Sequence, residues 1–369
     1  MAKKPNVYVV IMAGGGGTRF WPWSRERRPK QLLPIVSARS MIWETVERIR
    51  PMVPPEKIFL VVSRSQGADL HREVPQIPRK NLLLEPVGRN TAPCLCLAAW
   101  HLQKLDPQAI MVVLPADHFI ADRKGFRQTL RKAAAFAAQK DYLVTLGIPP
   151  ANPETGYGYV QKGKILGRVK DIPVFQVKSF REKPSRSRAK IYLRTGNFLW
   201  NSGMFIWKVN VFLQQMQGHL PQIHKEIGAV RNSLGTPRGE KLLERIYARL
   251  PSISVDYGIL EKAKNVAVIE APFRWDDVGS WVALRKIFPP DANGNTLIAC
   301  PPSGRGKILI LDSSGCLIRN EEKLIAVMGM KDTIVVEAGN AILVCPCDRA
   351  QEIRQVLQGL KDRDWKEYL

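Results

Sequence analysis

A run of glycines stands where the chain could cradle a phosphate group. Gly14 to Gly17 directly follow the apolar, β-branched segment 7–12, and Thr18 and Arg19 come next. Glycines let the backbone approach a phosphate closely and present its N–H groups, while an arginine can fork onto the phosphate oxygens. A second cation, Lys30, follows a short way on, behind a proline. The pattern favours a phosphate-binding turn over a flexible surface loop.

Two familiar phosphate loops do not fit this run. Arg19 falls where the G-x-x-x-x-G-K-[ST] loop needs its second glycine, and no Lys-Ser or Lys-Thr pair follows. The dinucleotide pattern G-x-G-x-x-G also fails, because Arg19 or Phe20 occupies its last glycine position. What remains is a buried strand, a glycine run and an arginine.

The elements that must position these residues alternate between strands and helices. Apolar runs predict strands at 7–12, 58–62, 81–84, 109–114 and 142–146, and helices at 91–105 and 124–139. Helical patterns return between Asn210 and Leu250. Continuous apolar strands separated by helices predict an α/β fold with a mostly parallel sheet that is covered on both faces.

The chain after Pro289 and Pro290 is β-rich. Short strands are predicted at 307–311, 324–327, 333–336 and 341–344, followed by an amphipathic helix from Arg349. Their near-regular spacing predicts a small stacked β unit. We therefore predict two domains, 1–290 and 291–369.

Composition narrows the class of protein. The net charge of +23 attracts polyanions, yet no zinc finger, aromatic RNP pattern or basic zipper region is present, so we expect no dedicated nucleic-acid partner. The six cysteines do not match common zinc spacings, which favours reduced thiols in a cytoplasmic protein. No apolar run is long enough for a membrane span. The basic start imitates a secretion signal, but the apolar stretch behind it is short and suits a buried strand.

Several motifs resemble, in family order, those of the nucleotidylyltransferases that make nucleotide sugars. They lie at 13–19 with 29–31, then at 85–93, 115–118, 155–160, 180–184, 200–205 and 275–281. The Arg-Phe-Trp-Pro opening, the Arg-Asn-Thr-Ala-Pro element and the segment 254–257 resemble the mannose-1-phosphate guanylyltransferase branch. The resemblance implies a Rossmann-like nucleotide-diphospho-sugar transferase fold with a small C-terminal β-helix-like domain.

The resemblance also implies a reaction and a cofactor. GMP would pass from GTP to α-D-mannose 1-phosphate with release of pyrophosphate, assisted by Mg²⁺. Asp117 and Asp277 are the implied metal ligands, because two carboxylates together with substrate phosphates suit Mg²⁺. Arg19 would serve the leaving pyrophosphate, Lys30 the triphosphate and Lys183 the incoming sugar phosphate. His118 is interpreted as structural support. No general base is needed, because a sugar 1-phosphate is a phosphate monoester that is already mostly dianionic at neutral pH.

The remaining implied contacts fall into two groups. The nucleotide-binding residues would be Ala13, Gly14, Gly15, Gly17, Thr18, Arg19, Glu85, Pro86, Gly88, Asn90, Thr91 and Ala92. The sugar-phosphate-binding residues would be Gly158, Glu182, Lys183, Asn201 and Asp256. Glu85 is open to two interpretations: its carboxylate could accept both N1–H and the N2 amino group of guanine, or it could only brace the following turn while backbone atoms read the base.

Two rival functions remain open at this stage. One is a nucleotidylyltransferase that makes a glucose-based nucleotide sugar. The other is a non-catalytic anion-binding or nucleic-acid-binding protein on the same fold, although such a protein has no need of a metal pair. By analogy with the family we expect a homodimer, and the short β-rich tail leads us to expect a monofunctional enzyme.

Lys30→Ala and Lys183→Ala should each lower turnover roughly a hundredfold, because removing one preorganised contact to developing charge costs about 3 kcal/mol of transition-state stabilisation. Steady-state rates of the purified variants provide the measurement. Near-normal turnover in both variants would contradict the assignment.

Overall fold

The computed structural model describes residues 5–15, 17–299 and 306–369. Gly16 of the glycine run, Cys300 and the basic start 1–4 lie outside the described residues. The chain forms two compact units. The first comprises the described parts of Met1–Gly14, Val46–Ala116 and Ile120–Trp275, and the second those of Gly15–Thr45, Asp117–Phe119 and Asp276–Leu369.

The strands follow one another along the whole described chain. In order they are β1 (Val7–Met12), β2 (Ile58–Ser63), β3 (Leu82–Glu85), β4 (Ile110–Pro115), β5 (Phe119–Ile120), β6 (Leu143–Ile148), β7 (Tyr159–Val169), β8 (Ile172–Arg181), β9 (Phe198–Lys208), β10 (Val266–Glu270), β11 (Trp275–Asp276), β12 (Thr296–Ala299), β13 (Ile308–Leu311), β14 (Leu317–Asn320), β15 (Ile325–Met328), β16 (Thr333–Ala338) and β17 (Ala341–Pro346).

The helices alternate with the strands before β10 and close the chain after β17. They are α1 (Met41–Ile49), α2 (Gly67–Glu73), α3 (Thr91–Leu105), α4 (Arg123–Gln139), α5 (Arg186–Thr195), α6 (Val209–His219), α7 (Pro221–Ala229), α8 (Pro237–Arg249) and α9 (Ile353–Asp362). Short 3₁₀ turns include Thr18–Phe20, Lys30–Leu32 and Trp281–Lys286, and Asp256–Leu260 is a single π-helical turn. Among the described helices, none is both long and apolar enough for a membrane span.

A mixed sheet forms the centre of the first unit. Over the described residues its strand order is β3-β2-β1-β4-β9-β6-β10-β8-β7, in which β8 and β9 run opposite to the other strands. The interior strands are almost fully buried, as their continuous apolar sequences predict. The predicted α/β fold with a mostly parallel sheet is confirmed.

The carboxyl ends of β1, β3 and β4 reach the same edge of this sheet. The register pairs Met12 with Val61 and with Pro115, and Ser63 with Glu85. Open parallel sheets bind ligands at this edge. Gly14 and Glu85 both lie there, and the chain leaves the unit at Ala116.

The C-terminal strands of the second unit stack as a β-helix. β12, β14 and β16 pair in parallel in one sheet, which β17 extends in antiparallel direction, while β13 and β15 pair in a second sheet. Successive strands from β12 to β16 therefore alternate between the two sheets. The expected small β-rich unit is confirmed. β12 and β14 were not predicted from the sequence. The apolar run of β14 is short because its buried end is the polar pair Arg319 and Asn320.

The core of the second unit joins the β-helix to loops from much earlier in the chain. One hydrophobic cluster contains Phe20, Trp21, Trp23, Trp281, Leu317, Ile334, Val336 and Leu343, and the side chains of α9 pack into it. The domain boundary at 290/291 stays a prediction, since the compact units group the chain by other segments.

Candidate active site

Lys30 is the centre of the first cluster of predicted site residues, which lies within the second unit. Its side chain is buried, with Nζ 2.8 Å from Asp117 Oδ2. The same nitrogen donates a hydrogen bond of 2.5 Å to the backbone carbonyl of Asp277. Two aspartates that are far apart in the sequence therefore share one ammonium group.

Arg19 belongs to the same cluster. A Cβ atom on Gly279 would stand 2.8 Å from Asp277 Oδ2 and 3.2 Å from Arg19 Nη1. The carboxylate and the guanidinium thus both border the space beside the Gly279 backbone. A side chain at position 279 would displace them, which explains a glycine here.

Asp117 is held in its charged form. Burial raises its pKa, but the cations Lys30, His118 and Arg19 outweigh burial and bring the pKa below the ordinary 3.8. A carboxylate that is ionised at neutral pH suits a divalent cation. His118 directly follows Asp117 in the chain, and its interpretation as structural support stays a prediction.

Gly17 lets the glycine run approach Lys30. Its φ of 56° lies in the left-handed region, and a Cβ atom there would overlap the backbone nitrogen of Lys30. Gln31 makes a second tie, since its Nε2 donates a 3.1 Å hydrogen bond to the carbonyl of Gly15. Thr18 is exposed beside Gly17, at the start of the short 3₁₀ turn that carries Arg19.

Glu85 lies at the carboxyl end of β3, within the first unit, and is only 3% exposed. No described atom forms a hydrogen bond with its buried Oε1. Burial raises the pKa of Glu85 to about 7, against the hydrogen bond from Tyr247. A Cβ atom on Gly14 would lie 3.4 Å from Glu85 Oε2, so the chain leaving β1 passes close to this carboxyl. Within the described part of the chain, one oxygen of the group is an acceptor that still lacks a donor.

The predicted nucleotide contacts at 90–92 have structural partners of their own. Asn90, with φ 67°, accepts a hydrogen bond from the Thr91 backbone and caps α3. Thr91 Oγ1 accepts a 2.8 Å bond from the Val255 N–H, and the Ala92 N–H donates to the Ile253 carbonyl at 3.1 Å. These bonds hold the backbone directly before Asp256. A nucleotide contact of these residues stays a prediction.

The turn that follows β3 contains the other predicted nucleotide residues. Pro86 is half-buried, and a Cβ atom on Gly88 would meet no described atom within 4 Å. Sequence analysis did not assign Arg89, whose guanidinium donates to the Tyr247 and Ala248 carbonyls at 2.7 and 2.6 Å. Arg89 therefore ties this turn to the end of α8. The signal available in the sequence for this role was the position of Arg89 inside the motif 85–93.

The predicted sugar-phosphate residues form a second cluster, within the first unit. Asn201 Nδ2 donates a 2.8 Å hydrogen bond to Asp256 Oδ1. The Asn201 backbone N–H donates to the Gly158 carbonyl at 2.8 Å, and a Cβ atom on Gly158 would overlap Glu182 Oε2. Lys183 Nζ lies 3.4 Å from Glu182 Oε1, on a side chain that is 60% exposed. The fold brings all five residues together.

Thr145 is a member of this cluster that sequence reasoning missed. Its Oγ1 donates a 3.1 Å hydrogen bond to Asn201 Oδ1, which turns the amide nitrogen of Asn201 toward Asp256. Thr145 lies inside the buried strand β6, where a threonine looks like an ordinary strand former. Only its partner across the sheet reveals the role.

Burial raises the pKa of both carboxyl groups of the second cluster. Burial, followed by repulsion from Glu182, raises the pKa of Asp256 to about 7. Burial also raises the pKa of Glu182, against the attraction of Lys183. A carboxyl group that titrates near pH 7, as Asp256 does, can both donate and accept hydrogen bonds, which suits sugar hydroxyls.

The metal prediction rests on the first cluster. Over the described residues, no three His, Cys, Asp or Glu side chains gather as a metal site, and the described cysteines are free thiols. Mg²⁺ in phosphate-transfer sites commonly uses only one or two carboxylates and takes its other ligands from substrate phosphates and water. Asp117 and Asp277 fit that requirement in number and chemistry.

Comparison with known proteins shows the family. Residues 8–294 match the family model described as Nucleotidyl transferase, and residues 306–360 match the MannoseP isomerase/GMP-like beta-helix domain. The chain belongs to the nucleotidyl transferase family. The resemblance drawn from the motifs is confirmed, and with it the expectation of a nucleotidyltransferase enzyme.

Relatives of this enzyme match nearly the whole of its sequence. A mannose-1-phosphate guanylyltransferase of Klebsiella pneumoniae is 37% identical over 97% of this chain and 75% of its own. The alginate biosynthesis protein AlgA of Pseudomonas aeruginosa is 32% identical over 96% of this chain and 71% of its own. A crystal structure from Thermus thermophilus, described as a mannose-1-phosphate geranyltransferase, has 36% identity and a TM-score of 0.85 over 96% of this chain and 99% of its own.

Gly17→Ala should destabilise the fold by about 1–3 kcal/mol, because alanine is strained at positive φ, and should also displace Lys30. Thermal unfolding provides the measurement, with Gly15→Ala as the matched control. A Cβ atom at position 15 meets no described atom within 4 Å. Equal melting temperatures for the two variants would contradict this account of Gly17.

Proposed function

We propose that the chain transfers GMP from GTP to α-D-mannose 1-phosphate and releases pyrophosphate. The observation that carries the proposal is the Lys30 cluster, in which two cations and two aspartates from distant motifs meet. The names of the curated relatives support the choice of substrates. Cations at this position can offset the negative charge of two polyanionic substrates that must react with each other.

The chemistry requires positioning and charge neutralisation more than proton transfer. A phosphate oxygen of mannose 1-phosphate attacks the α-phosphorus of GTP in line, and the bond between that phosphorus and the oxygen bridging to the β-phosphate breaks. Pyrophosphate takes the electron pair as it leaves. Arg19 contributes positive charge to the triphosphate, with the Lys30 ammonium beside it, and the exposed ammonium of Lys183 binds the sugar phosphate.

Asp117 and Asp277 are the residues that would hold Mg²⁺, which when bound supplies positive charge to the phosphates. In the described structure Lys30 already neutralises Asp117. A further cation at this point adds positive charge that the triphosphate can balance. We therefore expect the metal to bind together with the nucleotide.

The second cluster would bind the sugar. Asn201 and the raised-pKa groups Glu182 and Asp256 provide donors and acceptors for neighbouring hydroxyls. Because Gly158 has no side chain, the space beside Glu182 Oε2 stays open, and this oxygen has no described hydrogen-bond partner. This arrangement suits a hydroxyl-rich ring more than another charged group.

Glu85 would read the base. Its buried Oε1 lacks a described donor, and guanine presents two adjacent donors that one carboxylate can accept. Uracil and thymine present a single ring N–H on the same edge. The structure of this group therefore favours base reading over bracing of the turn. The homodimer, the cytoplasmic location and the lack of a dedicated nucleic-acid partner stay predictions.

Pyrophosphate release should require GTP, mannose 1-phosphate and Mg²⁺ together, because both polyanions and the neutralising charge are needed. Omitting each component in turn provides the measurement. Substrate profiling with UTP, dTTP and glucose 1-phosphate separates the proposal from a glucose-based nucleotidylyltransferase. Faster turnover with one of those pairs, or no turnover with any pair, would refute it.

The preference for GTP over ITP should increase as the pH rises through about 7 in the wild type, because ionised Glu85 accepts both guanine donors. ITP lacks the amino group but has the same titrating triphosphate, so the ratio of the two kcat/KM values isolates the base. In Glu85→Gln the ratio should be lower and independent of pH.

Glu182→Gln is the matched control for this experiment. It removes a carboxyl from the sugar cluster and should change the KM for mannose 1-phosphate while preserving the GTP-to-ITP ratio. A pH-dependent ratio that survives in Glu85→Gln would show that another group reads the base.

A further inference from the structure

Arg319 is a buried cation inside the β-helix. It lies on β14, is 0% exposed, and donates a hydrogen bond of 2.6 Å from Nη1 to the Glu337 carbonyl. Its guanidinium carbon stands 4.0 Å from the ring centroid of Trp23, close enough for a cation–π interaction. Burying a cation is costly unless such partners compensate. Arg319 Nη2 also lies 3.6 Å from Glu321 Oε1, so an ion pair adds to these partners.

The ring under Arg319 begins a continuous aromatic stack. Trp23 stacks on Trp281 with a centroid separation of 6.0 Å and an interplanar angle of 20°. The edge of Phe20 then meets Trp281 at 5.1 Å and 60°. Trp281 is also fixed by the hydrogen bond from its Nε1 to the Trp21 carbonyl at 3.2 Å. All of these side chains are buried.

The far end of the stack reaches the Lys30 cluster. The Lys30 ammonium lies 6.0 Å from the centroid of the Phe20 ring. Phe20 directly follows Arg19, and Trp281 follows Asp277 closely in the same loop. The contact between Phe20 and Trp281 therefore ties together the two loops that carry Arg19 and Asp277. All members of the path belong to the second compact unit.

We propose that Arg319 is a positioning residue for the triphosphate site, acting through Trp23, Trp281 and Phe20 on Arg19, Lys30 and Asp277. The inference rests on the proposed function. It assigns the β-helix a part in holding the phosphate-binding cations, with the buried charge of Arg319 fixing the Trp23 ring. The residues of the sugar cluster belong to the other compact unit, and none of them is a member of this path.

The test compares Arg319→Met, Arg319→Lys, Trp23→Leu and the double variant with Met and Leu. Arg319→Met should lower kcat/KM for GTP about tenfold, the size expected for a desolvated cation–π contact. The KM for mannose 1-phosphate should stay within about twofold, since no member of that cluster is touched. Arg319→Lys should recover most of the loss, and the double variant should lose little more than either single one.

Val327→Ala is the matched control. Val327 is buried in a separate apolar cluster of the β-helix, whereas the aromatic path belongs to the cluster around Trp281. It should lower the melting temperature while leaving kcat/KM for GTP unchanged in the folded protein. Equal kinetic effects of Val327→Ala and Arg319→Met, or additive effects in the double variant, would show that Arg319 contributes only to the stability of the fold. Either result would overturn the proposal.

Binding of GTP by equilibrium titration provides a second readout that does not require turnover. If Arg319→Met does not fold, Trp23→Leu and Arg319→Lys still test the path, and wild-type GTP affinity in Trp23→Leu would overturn it. Weaker GTP binding in these variants would support the positioning role even if the wild type fails to make GDP-mannose. In that case the proposed reaction fails and the inference about Arg319 stands.

Discussion

The pairing of the buried Lys30 ammonium with two aspartates is the interaction that holds distant segments of the second unit together. A lysine that is 5% exposed needs partners, and it finds the Asp117 carboxylate and the Asp277 carbonyl. These bonds join three chain segments that are distant in sequence: the loop after the glycine run, the segment 117–119 and the loop from Asp276. Gly17 completes the arrangement, because only a residue without Cβ can lie against the Lys30 backbone.

The two clusters shift the pKa of their carboxyl groups in opposite directions. Cations keep the pKa of Asp117 low, so this group remains charged, whereas burial and repulsion from Glu182 raise the pKa of Asp256 to about 7. Charge suits phosphates and a divalent ion, and near-neutral carboxyl groups suit hydroxyls. The environment, rather than the residue type, therefore sets the direction of each pKa shift.

The β-helix shares a hydrophobic core with the loops that carry Arg19 and Lys30. Trp23 and Phe20 pack in the same cluster as Leu317 and Ile334. Removing the β-helix would thus expose the support of the Lys30 cluster as well as its own strands. This shared core gives a physical reason for a catalytic chain to retain a short C-terminal β unit.

The sequence by itself determined the family and the order of its motifs. It also determined most strands of the main sheet and helix α3, because apolar runs and helical periodicity are local signals. Residues 91–105 form α3 as predicted. It could not determine that Thr91 and Ala92 hold the backbone before Asp256, that Thr145 orients Asn201, or that Arg319 is buried against Trp23. Those roles depend on partners that are distant along the chain, and a local pattern of residue types contains no distance between such partners. Only the tertiary structure decided which residues share one ammonium group, one sheet edge or one core.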